Sequence, residues 1–338
     1  MGEINLKVLI LGINGFIGLH LFKTILERTD WDVYGLDISS DRIGQYKELP
    51  RLTFLQGDIC KESEWIEEHI KKCDVVIPLV AIALPAVYIS NPIRIFELDF
   101  EENMKIVKLC VKHKRRIIFP STSEVYGMST VSEFNEDDSN LVVGPICKQR
   151  WIYSCCKQLI DRVIWAYGKQ ENFQFTLFRP FNWVGPYLDD VNDSEDGKLR
   201  VVTQFISNIL HNKPIKLVNG GKQNRCFTYI QDGIDCLMKI IENKNNLADQ
   251  QIINIGNPDN KYSIEFIAEY IVKWVRRNRP EIKVPDIIYV SDKNYYGESY
   301  EDVFNRVPSI AKAANLLKWQ PKTTIDELLD KTLEFYLK

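Results

Sequence analysis

The chain is predicted to form a doubly wound parallel α/β sheet with a smaller mixed α/β lobe. Two observations carry this. Short, unbroken apolar runs alternate with amphipathic runs through the first half of the sequence, the pattern of strands joined by helices in a parallel sheet. The chemically distinctive residues also fall where those apolar runs end, at three close glycines, Asp37, Asp58, Ala81 and Ser123-Glu124. Ligands of open parallel sheets gather at that edge, outside the carboxyl ends of the strands.

Lys7 to Gly12 reads as the first strand, since Val-Leu-Ile-Leu shows no alternation and so suits burial on both faces. Leu19 to Glu27 is the first amphipathic helix. Further strands are predicted at Asp32–Leu36, Leu52–Gln56, Asp74–Leu79 and Arg116–Phe119, and one long helix at Pro92–Lys112 with its proline in the first turn. Trp151–Tyr167 reads as a helix and Phe175–Arg179 as a strand. After about residue 187 the alternation loosens. Helices are predicted at Val201–Leu210, Asp232–Glu242, Ile264–Val275 and Ile325–Tyr336. Short strands are predicted at Ile215–Val218, Phe227–Ile230, Ile252–Ile255 and Asp286–Val290. Leu188 to Lys198, rich in Asp, Asn, Ser and Gly, reads as a loop.

The 338 residues allow one large or two smaller domains, and 45% hydrophobic with 26% charged residues is ordinary for a globular protein. A net charge of −3 offers no basic field to nucleic acid or acidic lipid. The eight cysteines include no CxxC pair and sit mostly in apolar or helical runs, so they are expected as reduced thiols of a cytoplasmic protein. Cys155 and Cys156, adjacent on a helix, are expected to point apart. The four scattered histidines predict no metal site. No signal peptide or membrane span is expected.

Gly12-Ile-Asn-Gly15-Phe-Ile-Gly18 lies between the first strand and its helix. A dinucleotide pyrophosphate needs this: a tight turn, close backbone approach and a helix amino end facing its charge. Phe16 and Ile17 belong to the same turn. Asp37 ends the next strand 19 residues after Gly18, where a carboxylate accepts bonds from ribose hydroxyls and repels a 2′-phosphate. The expected cofactor is therefore NAD, with Asp58 and Ile59 at its adenine edge and Ala81 at the end of the fourth strand. Residues 1–187 then form mainly the NAD-binding domain, and 188–338 mainly a substrate-binding lobe with some segments returning to the sheet. Tyr153 and Lys157 stand four apart, on one face of a helix. Tyrosine ionises near pH ~10. A nearby ammonium and a positive nicotinamide would lower that, letting Tyr153 take a hydroxyl proton while Ser123 or Thr122 orients the same oxygen.

Gly12-x-x-Gly15-x-x-Gly18, Thr122-Ser-Glu-Val-Tyr-Gly127 and Tyr153-x-x-x-Lys157 together resemble the extended short-chain dehydrogenase/reductase family, in its nucleotide-sugar branch. Longer segments are similar to the UDP-glucuronic acid decarboxylating dehydrogenase domain of bifunctional polymyxin-resistance proteins. They include Phe96-Glu-Leu-Asp-Phe-Glu-Glu-Asn103, Phe119-Pro-Ser-Thr-Ser-Glu-Val-Tyr-Gly-Met128, Arg150-Trp-Ile-Tyr-Ser154, Phe178-Arg-Pro-Phe-Asn-Trp183 and Tyr295-Tyr-Gly297. The resemblance spans nearly the whole chain and implies a Rossmann-type fold, a homodimer and a UDP-sugar substrate.

It further implies NAD-dependent oxidation of UDP-glucuronic acid at C4 with loss of C6 as CO2, giving a UDP-4-keto-pentose, or UDP-xylose after internal re-reduction. Ser123, Tyr153 and Lys157 would serve the oxidation, and Glu124 and Arg306 the decarboxylation. Arg306 would hold the carboxylate or stabilise the enolate, and Glu124 would position a water or the sugar. By the same resemblance Ala83, Tyr88, Thr122, Ser123, Arg150, Asn182, Lys216, Arg225 and Tyr300 would hold UDP and sugar. Related dehydratases usually carry Asp-Glu where this chain has Ser123-Glu124, which argues against dehydration. Of three departures, that at Tyr229 is peripheral and the other two bear on substrate and pathway. Tyr229 stands where the resembled domain has aspartate, and Ile282–Asp292 follows that domain loosely. With Met1 six residues before the first predicted strand, its fused formyltransferase domain is not expected here. The alternatives are a UDP-uronic acid 4-epimerase, a decarboxylase of an N-acetylated UDP-uronic acid, and a non-catalytic dinucleotide-sensing module.

Overall fold

The computed structural model describes residues 5–338, except Asp302, Phe304 and the side chain of Asn305. The first part of the chain forms β1 (Lys7–Leu11), α1 (Phe16–Arg28), β2 (Asp32–Asp37), β3 (Leu52–Gln56), α2 (Ser63–Lys72) and β4 (Val75–Pro78). It continues with α3 (Pro85–Ser90), α4 (Pro92–Ile95), α5 (Asn103–Lys112), β5 (Arg116–Pro120), α6 (Trp151–Glu171) and β6 (Phe175–Pro180). Next come β7 (Trp183–Val184), α7 (Val201–Leu210), β8 (Ile215–Val218), β9 (Asn224–Cys226), β10 (Thr228–Tyr229), α8 (Ile230–Glu242) and β11 (Gln251–Ile255). The chain ends with β12 (Lys261–Ser263), α9 (Ile264–Asn278), β13 (Ile287–Val290), α10 (Asp292–Tyr296), β14 (Asn305–Arg306), α11 (Ala311–Leu317) and α12 (Ile325–Tyr336).

Seven parallel strands form the main sheet in the order β11-β6-β5-β4-β1-β2-β3. Every residue of β4 and β5 is buried, as is β1 after Lys7, which is why these segments read as apolar runs without alternation. On one face α1, α8 and α11 bury Phe22, Ile25, Ile234, Leu237 and Leu317. On the other, α2, α5 and α6 bury Ile66, Ile70, Ile106, Cys110, Ile160 and Ile164. A second core joins α7, α9 and α12 over β8, through Phe205, Ile209, Ile267, Ile271, Leu328 and Leu333. Strand order reverses between β1 and β4, so a crevice opens at their carboxyl ends.

Two elements differ from their sequence reading. The helix expected over Pro92–Lys112 contains a π-helical stretch, Phe96–Glu102, between α4 and α5. Of the strand expected at Phe227–Ile230 only Thr228–Tyr229 forms, as β10; β9 ends before it at Cys226, and α8 already begins at Ile230. Ile252–Ile255 lies in β11, which extends the main sheet beside β6 with Ile253 opposite Phe178. Cys155 is exposed and Cys156 buried, so they do point apart, and all eight thiols are unbridged. Among the described residues no helix is long and apolar enough to cross a membrane.

Candidate active site

The site grows from the carboxyl end of β1. Gly12 turns the chain with φ +90°, and its N–H donates to the Leu36 carbonyl at 2.7 Å. A Cβ on Gly18 would stand 2.2 Å from the Gly12 oxygen, so only glycine lets α1 start this close to the turn. Gly15 precedes α1 without a side-chain cap, and the first turn of α1 holds no acidic residue. The helix amino end therefore keeps its N–H groups for an anion. At the end of β2, the Asp37 carboxylate accepts the Asn14 N–H at 2.9 Å and the Ser39 N–H at 3.2 Å. Asn14 also accepts from the N–H groups of Arg42 (3.0 Å) and Ile43 (3.1 Å), tying the glycine turn to the chain after β2. A glycine cradle, an uncapped helix end and a carboxylate closing β2 fit a dinucleotide.

The reactive corner forms where β5 ends. Thr122 caps the short 3-10 turn Ser123–Tyr126, its hydroxyl accepting the Glu124 N–H at 3.2 Å. From α6, Gln158 donates to the Val125 carbonyl at 2.8 Å and Lys157 Nζ to the Pro120 carbonyl at 2.9 Å. These bonds fix Tyr153 and Lys157 against Ser123. Tyr88 from α3 stacks on Tyr153, with ring centres 4.7 Å apart and planes at 9°. Ser123, Tyr153 and Lys157 are all buried.

Glu124 is held at both oxygens, Oε2 by Arg150 and Oε1 by Arg306. Arg306 arrives from the far end of the chain because β14 pairs with β9, with Arg306 opposite Arg225. Phe134 secures the following residues, donating to the Val307 carbonyl at 2.7 Å and accepting the Ser309 N–H at 2.8 Å. Arg150 also donates to the Glu301 carbonyl at 2.7 Å. Burial disfavours a charged Glu124, but Arg150 and Arg306 outweigh it and hold the carboxyl at about 2.

The chain's own groups raise the Tyr153 phenol. Burial pushes its phenol above the ordinary value, and the Asp99 and Glu124 carboxylates add to this, while the Thr122 hydroxyl and Arg200 oppose it. Lys157 lies 5.9 Å from the Tyr153 ring centre and does not outweigh burial. Burial lowers the Lys157 amine in turn, while Asp99 and Asp161 raise it.

A cavity of about 640 Å³ joins the two halves of the site. From the cofactor set it is lined by Gly12, Gly15, Phe16, Ile17, Gly18 and Ala81. Ser123, Glu124, Tyr153, Lys157 and Arg306 form its reactive wall. Ala83, Tyr88, Thr122, Arg150, Asn182, Lys216, Arg225 and Tyr300 also line it. Asn182 takes φ +40° just past β6 and donates to the Cys226 carbonyl at 3.1 Å, while Lys216 bonds Asp196 at 2.5 Å. Asp37, Asp58 and Ile59 do not line this cavity. Asp58 accepts the Cys60 N–H at 3.0 Å ahead of α2, and Ile59 is buried in the core. Sequence reasoning missed Arg42, Asp189, Arg200, Gln204 and Gln223, which also line it. Arg42, five residues after Asp37, had a positional signal; Asp189 and Arg200 come together only through folding, at 3.1 Å. A depression of about 720 Å³ beside β11, lined by Trp165, Lys169, Asp249 and Lys312 among others, holds none of these groups.

Known proteins resemble the chain over nearly its whole length. A profile of the NAD dependent epimerase/dehydratase family matches residues 8–256. The PbgP3 protein from Burkholderia pseudomallei is 48% identical, with 98% of this chain and 96% of that chain covered and a TM-score of 0.88. UDP-glucuronic acid 4-epimerase from Bacillus cereus, solved with UDP-glucuronic acid and NAD, is 22% identical, covering 98% of this chain and 99% of that one, with a TM-score of 0.80. The dTDP-glucose 4,6-dehydratase from Bacillus anthracis, solved with NAD, is 20% identical, covering 98% and 96%, with a TM-score of 0.79. These last two share the fold. The match over most of the sheet and the glycine cradle in it lead to one conclusion: the chain belongs to the NAD-dependent epimerase/dehydratase family of nucleotide-sugar enzymes, among the extended short-chain dehydrogenases/reductases.

Proposed function

We propose that the protein oxidises UDP-glucuronic acid at C4 with NAD and releases C6 as CO2, leaving a UDP-4-keto-pentose. The observation that carries this reading is the Arg150–Glu124–Arg306 cluster beside Ser123 and Tyr153. Two cations on one anion leave the wall net positive, which suits a sugar carboxylate. Bound NAD supplies the hydride acceptor for C4 and a positive ring beside the phenol. Ser123 holds O4 and Tyr153 takes its proton, with the Lys157 ammonium offsetting the charge that develops on the phenol. The resulting C4 ketone is β to the C6 carboxylate. The C5–C6 bond breaks, its electron pair moves into the C4–O4 enolate, and C5 then takes a proton. Arg306 orients the carboxylate beforehand, and the same donors at O4 hold the enolate. Glu124 has both oxygens on arginines, so its role is to aim Arg306. Lys216 and Arg225 are assigned to the pyrophosphate.

The alternative, C4 epimerisation of a UDP-uronic acid, draws support from the likeness to the Bacillus cereus fold and uses the same Ser123, Tyr153 and Lys157. Mass spectrometry of the product from UDP-glucuronic acid and NAD, with absorbance for NADH, separates the two. A UDP-4-keto-pentose with accumulating NADH is the expected result; UDP-xylose without NADH assigns internal re-reduction. An isomeric uronate with no CO2 defeats the decarboxylase reading.

The protein is also expected to pair through the helical run Pro92–Lys112 (α4 to α5) and through α6 over Trp151–Tyr167, where Ile93, Phe96, Leu159 and Trp165 are partly or largely exposed. Light scattering should return about twice the 39.4 kDa chain mass; a monomer at working concentration contradicts the pairing.

A further inference from the structure

Two buried carboxylates act on Lys157. Asp161, one turn along α6, is neutralised by Arg179 at 3.2 Å and accepts the Ser121 hydroxyl at 2.6 Å. Asp99 has a different setting. It is fully buried in the π-helical stretch Phe96–Glu102, the kind of widened turn frequent at functional sites. Its Oδ1 accepts the Ile82 N–H at 2.9 Å, while Oδ2 has no hydrogen-bond partner among the described residues. Ile82 packs against the cluster of Tyr88, Ile95 and Tyr153 and lies between Ala81 and Ala83, two cavity-lining residues. A buried carboxylate oxygen without a bonded partner is costly. The charged and titratable groups facing Asp99 are Tyr153, Cys156 and Lys157 from α6, Tyr88 from α3 and Arg94 from α4.

We propose that Asp99 is a positioning residue whose charge sets the pH range over which the Tyr153–Lys157 pair works, while its bond to Ile82 fixes the loop beside Tyr153. This rests on Tyr153 acting as the base. The sign follows from the charges. An ionised Asp99 favours the Lys157 ammonium and disfavours the Tyr153 phenolate, so it moves both groups upward. Its own carboxyl is pushed up by burial, against the pull of Lys157, to about 6. Below that range the charge is lost and both neighbours shift down.

Asp99→Asn keeps an acceptor for Ile82 and removes the charge; Asp99→Glu keeps the charge and disturbs the bond. NADH formation from UDP-glucuronic acid, followed across pH, tests the difference. In Asp99→Asn both limbs of the kcat profile should move toward acid by about one pH unit. In Asp99→Glu the limbs should stay in place while the rate falls. Asp99→Asn limbs at the wild-type pH, at any height, overturn the proposal. Turnover retained by Tyr153→Phe would instead defeat the assignment of the base, so the two failures are distinguishable. Should Asp99→Asn fail to fold, infrared difference titration of the wild type beside Asp99→Glu decides: a buried carboxyl titrating near 6 in the wild type whose band shifts in Asp99→Glu is expected, and the absence of a band that responds to that substitution overturns the proposal.

Discussion

Replacing Tyr153 with Phe should lower kcat by about 10²–10⁴-fold and leave NAD binding near the wild-type level. Tyr153 is buried and stacked on Tyr88, so phenylalanine fills the same space. The hydroxyl alone is lost, and with it the group that takes the proton from O4. Burial and two nearby carboxylates raise the phenol, so the chain alone does not make a strong base there. The charge that offsets this comes from Lys157 and from the positive nicotinamide. Single-turnover absorbance for NADH, together with NAD titration, checks the result. Turnover at the wild-type rate would remove Tyr153 from the chemistry.

Arg306→Gln should separate oxidation from loss of CO2. Glutamine keeps a donor for Glu124, which stays neutralised by Arg150, so no buried carboxylate is left without a cation. Removing Glu124 would do the opposite and strand two buried arginines, a change of the kind that costs about 3–5 kcal/mol. The expected outcome is a fall in CO2 release of about 10²–10³-fold, the scale of one lost charged donor in a buried site. Oxidation at C4 should fall much less, because Ser123, Tyr153 and Lys157 keep their places on β5 and α6. Parallel measurement of CO2 and of the NADH burst checks this. Equal losses in both would make Arg306 a structural residue.

The core of the sheet was legible because buried parallel strands leave apolar runs with no alternation, as in Val8–Leu11 and Val75–Ile77. The glycine turn was legible because its spacing follows from a backbone constraint. The π-helical stretch was not: Phe96–Glu102 contains no glycine or proline to mark it. Arg306 was named only through resemblance, since β14 is two residues long and its pairing with β9 has no periodic signature. Arg42 had a positional signal after Asp37, but its backbone N–H bond to the Asn14 amide oxygen is a contact that spacing cannot show. The burial that raises the Tyr153 phenol was not legible for a related reason: four-residue spacing places a lysine on the same helix face, but it carries no information about burial.

Loss of the C6 carbon tests the central claim most directly. UDP-glucuronic acid labelled with 13C at C6 is incubated with the protein and NAD, and gas and nucleotide sugar are measured together. The account predicts labelled CO2 equal in amount to the sugar consumed, with an unlabelled UDP-pentose remaining. A UDP-uronate that keeps its label, with no labelled CO2, would contradict it.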